Sequence, residues 1–510
     1  MKKKFLLYAI VLLVSGPGAT AAVEYEGYTN PAGNKFPIAV YDNVGIRASD
    51  GSQILSDAEQ KAYFKDLKLC GFNVELWGKG SCNDSKTKNT WIPYINSLGM
   101  NTIISSRGYS LTRSKTRYDA NTPDSILLQD NWKGLKTVIT NYSQDPNVWG
   151  YWVTDEPGMP DLQKPVFEME PYQVAVLPTF NRVHEFRGEK VAFANFAAAA
   201  APSILGDFYT DDPDHPNPDI YIPNFENFLD YMVDELRLKF LTFDLYPVIH
   251  NEGAYGIGSG FVIKPYYYNM MDLYGRYCRD RKIPVWLTML SVEHAYYKLN
   301  GELIWEYPEI TEGLLRMQAM NGLAFGMKGI LYWQYGAQGE KVSTTVYRSA
   351  LYDINKRQKT PAWNAARLVN CEVAQYGAAL KNATYDKSCL ASKDSINAFE
   401  GFERFSKETG FECVKDIDYS KGRFLISHLT GEDGDFIAVV NQDRLNSQDI
   451  TINFDPNILN RRVKMTYWVA EINDIGISGP AQPVEKYEDP EVKLTLSPGG
   501  MVLFKYKYKN

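Results

Sequence analysis

The residues best suited to chemistry stand together in Val148-Trp149-Gly150-Tyr151-Trp152-Val153-Thr154-Asp155-Glu156-Pro157-Gly158, where an apolar run stops in two carboxylates and a turn. A carboxyl group set among Trp and Tyr rings loses hydration, its charged form becomes costly and its pKa rises. Held protonated in this way, Glu156 would donate a proton at neutral pH, and an ionised Asp155 beside it would raise it further by repulsion. The same two acids also suit the start of a solvated loop. Phe243-Asp244-Leu245-Tyr246-Pro247 repeats the pattern, an apolar run ending in an acid and a phenol. Asp244 reads equally as a buried structural acid.

Such groups need a scaffold, and the chain supplies a periodic one. Short apolar strands alternate with amphipathic helical stretches from about residue 37 to 382, the pattern of a parallel sheet with helices packed outside it. The strands begin near Pro37-Ile38-Ala39-Val40, Phe72-Asn73-Val74, Asn101-Thr102-Ile103, Val148-Trp149-Gly150, Val191-Ala192-Phe193, Phe240-Leu241-Thr242, Pro284-Val285-Trp286 and Gly329-Ile330-Leu331. Ser56-Asp57-Ala58-Glu59 is a capping box, in which a hydroxyl and a carboxylate each satisfy a free backbone N–H. Thr360-Pro361 opens the last of these helices, since proline's fixed φ suits the first helical position. Eight such units predict a (β/α)8 TIM barrel, and a doubly wound open sheet is the rival. No Gly-rich phosphate turn follows the first strand, which weighs against that rival. From about residue 383 the pattern becomes short alternating strands, such as Phe436 to Asn441 and Asp449 to Phe454, predicting a C-terminal antiparallel β-sandwich. The expected organisation is a signal peptide over 1–22, the α/β barrel over 23–382 and the sandwich over 383–510.

In such barrels the active site lies at the C-terminal ends of the strands. Trp152-Val153-Thr154-Asp155-Glu156-Pro157 resembles the strand-four Asn-Glu-Pro signature of clan A glycoside hydrolases, and the resemblance implies that Glu156 is the acid/base of a retaining enzyme. Asp155 stands where that signature has Asn, so contacts to a sugar hydroxyl would differ there. Ile330-Leu331-Tyr332-Trp333-Gln334-Tyr335-Gly336 is similar to the strand-eight end of the same clan, implying that Trp333 floors the site; it also reads as a core ring. The family places its nucleophilic Glu at the end of strand seven. Here Met289 occupies that place, and a thioether is no substitute. Glu293, four residues on with the same strand parity, is the favoured nucleophile through a longer strand or a bulge. Asp244 and then Glu75 on strand two stand behind it. Asp155, Asp244, Tyr246, Trp333, Trp77 and Asn195 are expected to contact substrate. Arg107, His250 and His294 are further cleft candidates.

Composition narrows the remaining classes. Met1-Lys2-Lys3-Lys4, the apolar run Phe5 to Val14 and Ala19-Thr20-Ala21 read as an export signal, placing the mature protein in the periplasm or outside the cell. The net charge of −7 comes with no basic stripe, which argues against nucleic acid. No later run is long and apolar enough for a membrane span. The six Cys contain no CxxC and the five His are scattered, so no metal or other cofactor is expected. Cys389 and Cys413 are candidates for a disulfide. The Pro/Asp-rich segment Asp211 to Asp219 is read as a solvated loop, with calcium as the alternative. Aromatic residues make up 14% of the chain, with 35 Tyr and 10 Trp, which suits both large cores and clefts that stack the apolar face of a pyranose. The expected partner is an oligosaccharide or polysaccharide. A non-catalytic glycan-binding barrel is the alternative function, and a polysaccharide lyase or metal-dependent hydrolase a further one.

Overall fold

The computed structural model describes residues 25–44, 55–78, 85–105, 136–158, 176–197, 218–250, 260–264, 266–337, 341–342, 344–393, 402–407, 410–460, 462–468, 472–473, 476–477 and 483–509. The leader, Cys82, Arg107 and residues 211–217 lie outside them. Eight parallel strands close on themselves: β1 (Ile38–Asp42), β2 (Val74–Trp77), β3 (Asn101–Ser105), β4 (Val148–Asp155), β5 (Val191–Ala197), β6 (Leu241–Asp244), β7 (Val285–Leu290) and β8 (Gly329–Trp333). Closure comes from β1, which pairs with β2 at Ala39↔Val74 and with β8 at Ile38↔Ile330. That pairing removes both sheet edges and rules out the open doubly wound arrangement. Almost every residue of these strands is buried, as expected where a sheet is covered on both faces.

Alternation along each strand separates two cores. Ala39 and Tyr41, Val74 and Leu76, Trp149 and Trp152, Phe193, Trp286 and Leu331 point into the barrel. Ile38, Val40, Trp77, Val148, Tyr151, Met289 and Tyr332 face the surrounding helices. Those helices include α1 (Asp57–Leu69), α2 (Tyr267–Arg281), α3 (Glu312–Ala324) and α4 (Pro361–Leu380). The Ser56 hydroxyl accepts from the Glu59 N–H while the Glu59 carboxylate accepts from the Ser56 N–H, so α1 begins on a complete capping box. Pro361 takes the first turn of α4. The lower barrel is filled by rings: Trp149 stacks on Trp286 at 5.8 Å, Phe240 meets both, and Tyr28 from the preceding segment lies 5.7 Å from Trp149. Gly329 is required here, because a Cβ at that position would sit 2.5 Å from the Trp286 indole.

After α4, antiparallel strands begin at Thr384 and form a six-stranded and a three-stranded sheet. Phe424, Ile426, Ile437, Val439, Val502 and Phe504 point between the sheets, while the alternate residues Leu425, Leu429, Ala438, Val440, Met501 and Leu503 pack on the barrel's helices. The sandwich thus shares a core with the barrel. A buried polar junction fixes that contact: Asn321 and Gln442 bond reciprocally at 3.0 and 2.8 Å, and Tyr268 donates to Gln442 at 2.9 Å. Cys389 and Cys413 are both free thiols buried in the sandwich, against the expected disulfide. Burial pushes the Cys389 thiol up to about 12 and that of Cys413 to about 11, the latter beside the Tyr506 hydroxyl. No helix among the described residues is long and apolar enough to cross a membrane.

The loops after β7 and β8 build one further element above the C-terminal end of the barrel. Glu293–Tyr297 pairs with Leu303–Glu306 on one side and Thr345–Ser349 on the other, and Lys341–Val342 completes a four-stranded antiparallel sheet. Glu293 therefore does not extend strand seven as the sequence suggested. Ser291 turns the chain instead: its N–H donates to the Trp333 carbonyl at 2.8 Å and its hydroxyl to that of Gln334 at 3.0 Å.

Candidate active site

The C-terminal ends of β4, β5 and β6 bring Asp155, Glu156, Asn195 and Asp244 together. Asn195 is the hub. Its carbonyl oxygen accepts from Thr242 Oγ1 at 2.8 Å and Thr288 Oγ1 at 3.0 Å, hydroxyls that point inward from β6 and β7. With the oxygen so engaged, the amide nitrogen must face the acids. It donates to Asp155 Oδ1 at 2.9 Å and to Asp244 Oδ1 at 3.3 Å.

Glu156 reaches the same cluster by a change of backbone hand. Asp155 points inward, so an extended residue after it would point outward. Glu156 instead adopts φ +44°, a left-handed conformation that is costly for a residue with a Cβ, and its N–H donates to the Asn195 carbonyl at 2.7 Å. The turn leaves its side chain within hydrogen-bonding reach of Asp244. Strain of this kind, held by a defined hydrogen bond, concentrates at functional positions.

The acids of the cluster differ in burial. Asp155 and Glu156 are exposed, whereas Asp244 is half-buried. Burial foremost, then the carboxylates of Glu156 and Asp155, push the Asp244 carboxyl well above the usual range, and Lys264 opposes them. Lys264 is 8% exposed, with Nζ 3.0 Å from the Tyr307 hydroxyl, and its backbone N–H is tied to the Pro247 carbonyl beside the Asp244 loop. Tyr246 lies 5.2 Å from Tyr307 and 6.4 Å from the His294 ring. Burial, aided by Lys264, takes His294 down to about 4 against a backbone hydrogen bond to Val292, so its imidazole is neutral near pH 7. Trp333, which ends β8, is half-buried, stacked on Tyr41 at 4.4 Å and edge-on to Trp152 at 6.3 Å.

Other sequence candidates fall elsewhere. Trp77 is 1% exposed on the helix-facing side of β2, packed against Phe64, and offers no platform to a ligand. Glu75 shares its parity and is buried near Tyr63 and Asp42, behind the barrel wall. Met289 faces the helices, so the inward residue near the end of β7 is Thr288. Glu293 accepts from Arg348 at 3.2 Å, and Arg348 also pairs with Glu306. His250 stands 3.9 Å from Glu306. Thr242, Thr288, Lys264 and Tyr307 were not anticipated. Thr242 carried a signal, since it lies two residues before Asp244 on the same face; Lys264 and Tyr307 carried none.

No family model matches the chain, and no curated protein does. Among solved structures it is similar to a family 39 glycoside hydrolase from Bacteroides cellulosilyticus WH2, with 11% identity and a TM-score of 0.48 over 93% of this chain and 82% of that one. It is similar also to a β-galactosidase from Marinomonas ef1, with 10% identity and a TM-score of 0.41, covering 66% of this chain and 59% of the galactosidase's length. Xylanase 10B from Thermotoga maritima matches with 13% identity and a TM-score of 0.39, over 66% of this chain and 95% of the xylanase. The barrel itself is established by its own strand register.

Proposed function

We propose that the protein is an exported glycoside hydrolase acting on oligosaccharides or polysaccharides, with the Glu156–Asp244 pair as its proton-transfer device. The observation that carries this reading is an exposed Glu156 set against a half-buried Asp244, whose carboxyl is pushed well above the usual range by burial and by the neighbouring acids, at the C-terminal end of the barrel. Two carboxyls that close cannot both ionise readily, so the pair holds a proton more firmly than an isolated carboxyl does. Glu156, turned out by its left-handed backbone, is the member placed to give that proton to a glycosidic oxygen as its bond to the anomeric carbon breaks, with water adding its hydroxyl to that carbon and returning a proton to the pair. Asp244 is its reserve, and Asn195 holds Asp155 and Asp244 in place. Trp333 supplies a ring against which the apolar face of a sugar can lie. The Asp-Glu-Pro resemblance supports the same role for Glu156. Glu293, charge-paired to Arg348, has no part in this reading.

Incubation with aryl glycosides and a panel of polysaccharides, scored for released reducing sugar or phenol, tests it. Glu156→Gln is expected to abolish turnover of natural glycans and to spare activated aryl glycosides, whose leaving groups need less protonation. Undiminished hydrolysis of natural glycans by the mutant would contradict the assignment. Retention of a glycan with no bond cleaved would favour the binding-protein alternative.

A further inference from the structure

The four-stranded sheet above the barrel has two chemically opposite faces; period-two alternation assigns the regularly paired residues to them, and beyond the bulges at Glu293/His294 and Tyr296/Tyr297 the bonds of Glu293 and Tyr297 to Arg348 place those two. His294 pairs across the sheet with Tyr347, and Tyr296 with both Trp305 and Thr345. Directly paired residues share a face, as do residues two apart, so His294, Tyr296, Trp305, Tyr307 and Tyr347 lie on one side. Glu293, Tyr297, Glu306 and Arg348 lie on the other, joined by the Arg348 ion pairs and a 3.1 Å bond from Arg348 to the Tyr297 hydroxyl.

The aromatic side is continuous with the acid cluster. From Asp244 the chain reaches Tyr246, whose ring lies 5.2 Å from Tyr307; Tyr307 lies 4.7 Å from His294 and 5.0 Å from Trp305; Trp305 stacks on Tyr296 at 5.3 Å with planes 18° apart. Exposure grows outward along this row. Tyr246 and Tyr307 are each 8% exposed and His294 5%, whereas Trp305, Tyr296 and Tyr347 are half-buried. A row of rings serving the core alone would be buried throughout. One that emerges progressively, beginning at a catalytic cluster, has the form of a wall for a ligand that extends away from it. Tyr and Trp suit a sugar there because each offers an apolar face with a polar edge.

We propose that Trp305 and Tyr296 form an outlying saccharide subsite, which makes the protein selective for chains of several sugar units over single glycosides. This rests on the glycan-acting reading above, and its test is arranged to fail separately. Trp305→Ala and Tyr296→Ala are compared with wild type and with Tyr297→Phe, a change on the opposite face, after circular dichroism has verified that each folds. All are run in the Glu156→Gln background through gels containing cellulose, xylan or chitin derivatives, and in the parent background on the corresponding oligosaccharides of two to six units. The wild-type ring face is expected to retard migration and to lower KM as chains lengthen. Removal of either ring should weaken retardation and raise KM for the longest substrate by about tenfold, with Tyr297→Phe unchanged. Absence of retardation by every polymer, or retardation and chain-length dependence unaffected in both folded ring variants, would overturn the subsite. Retardation without hydrolysis would overturn only the catalytic reading.

Discussion

The two ends of the barrel use the same strands for opposite purposes. At the lower end Tyr28, Trp149, Phe193, Phe240 and Trp286 fill the interior with rings in contact, and Gly329 gives up its side chain so that the Trp286 indole fits. At the upper end the strands finish in Asp155, Asn195 and Asp244, and Glu156 adopts a backbone conformation few residues tolerate. At the lower end the left-handed residues Arg237 and Lys282 only follow helix ends, whereas at the upper end like charges are crowded together and the left-handed residue carries one of them. Acids crowded at one end of a barrel whose other end is filled with rings mark where stability is given over to function.

This contrast is sharpest in variants that should separate activity from stability. Replacing the acids proposed to transfer the proton, Glu156→Gln or Asp244→Asn, is expected to lower turnover of natural glycans by about a hundredfold or more, with no loss of melting temperature. Trp286→Ala should do the reverse: a destabilisation of about 3–5 kcal/mol in denaturant titration, with kcat per folded molecule little changed. Gly329→Ala should cost about 1–3 kcal/mol through overpacking against the same indole.

Asp244→Asn has a second consequence. The folded state raises the Asp244 pKa, so it binds a proton that the unfolded chain releases, and this carboxyl's contribution to stability declines as pH rises from the ordinary carboxylate range. Removing the ionisable group should therefore raise stability near pH 7 and have little effect near pH 3. His294 has the opposite sign. Its pKa is lowered to about 4, so its contribution is present above the unfolded value of about 6.5 and is lost as pH falls towards 4. Melting curves of wild type and His294→Asn across that window should converge at acid pH.

The barrel was legible because strands buried on both faces read as uninterrupted apolar runs, and all of them end near a turn. Asp155 and Glu156 were legible because two acids closing such a run have no packing role. What escaped depended on facing and burial. Trp77 ends a strand as Trp333 does, but its parity with Glu75, against that of Val74 and Leu76, turns it to the helices. Glu293 shares strand parity with Met289, yet parity has no meaning past the turn at Ser291, where a new strand begins. The burial of Asp244 relative to Asp155 and Glu156 depends on the packing of the strand ends, and sequence adjacency to rings does not show it. The aromatic face was written in His294-x-Tyr296, Trp305-x-Tyr307 and Thr345-x-Tyr347, but its strands sit within loops, and only their pairing brings the rings together.

The proposed sharing of a proton between residues 156 and 244 is tested most directly by the pH dependence of kcat/KM for a natural glycan, measured for wild type and for Asp244→Asn. Activity of the wild type should persist to neutral pH and fall on the alkaline side as the pair loses its proton. In the variant that alkaline limb should move down towards the range of an isolated carboxyl. A limb unmoved by the substitution, with turnover preserved, would contradict the shared proton and the chemistry built on it.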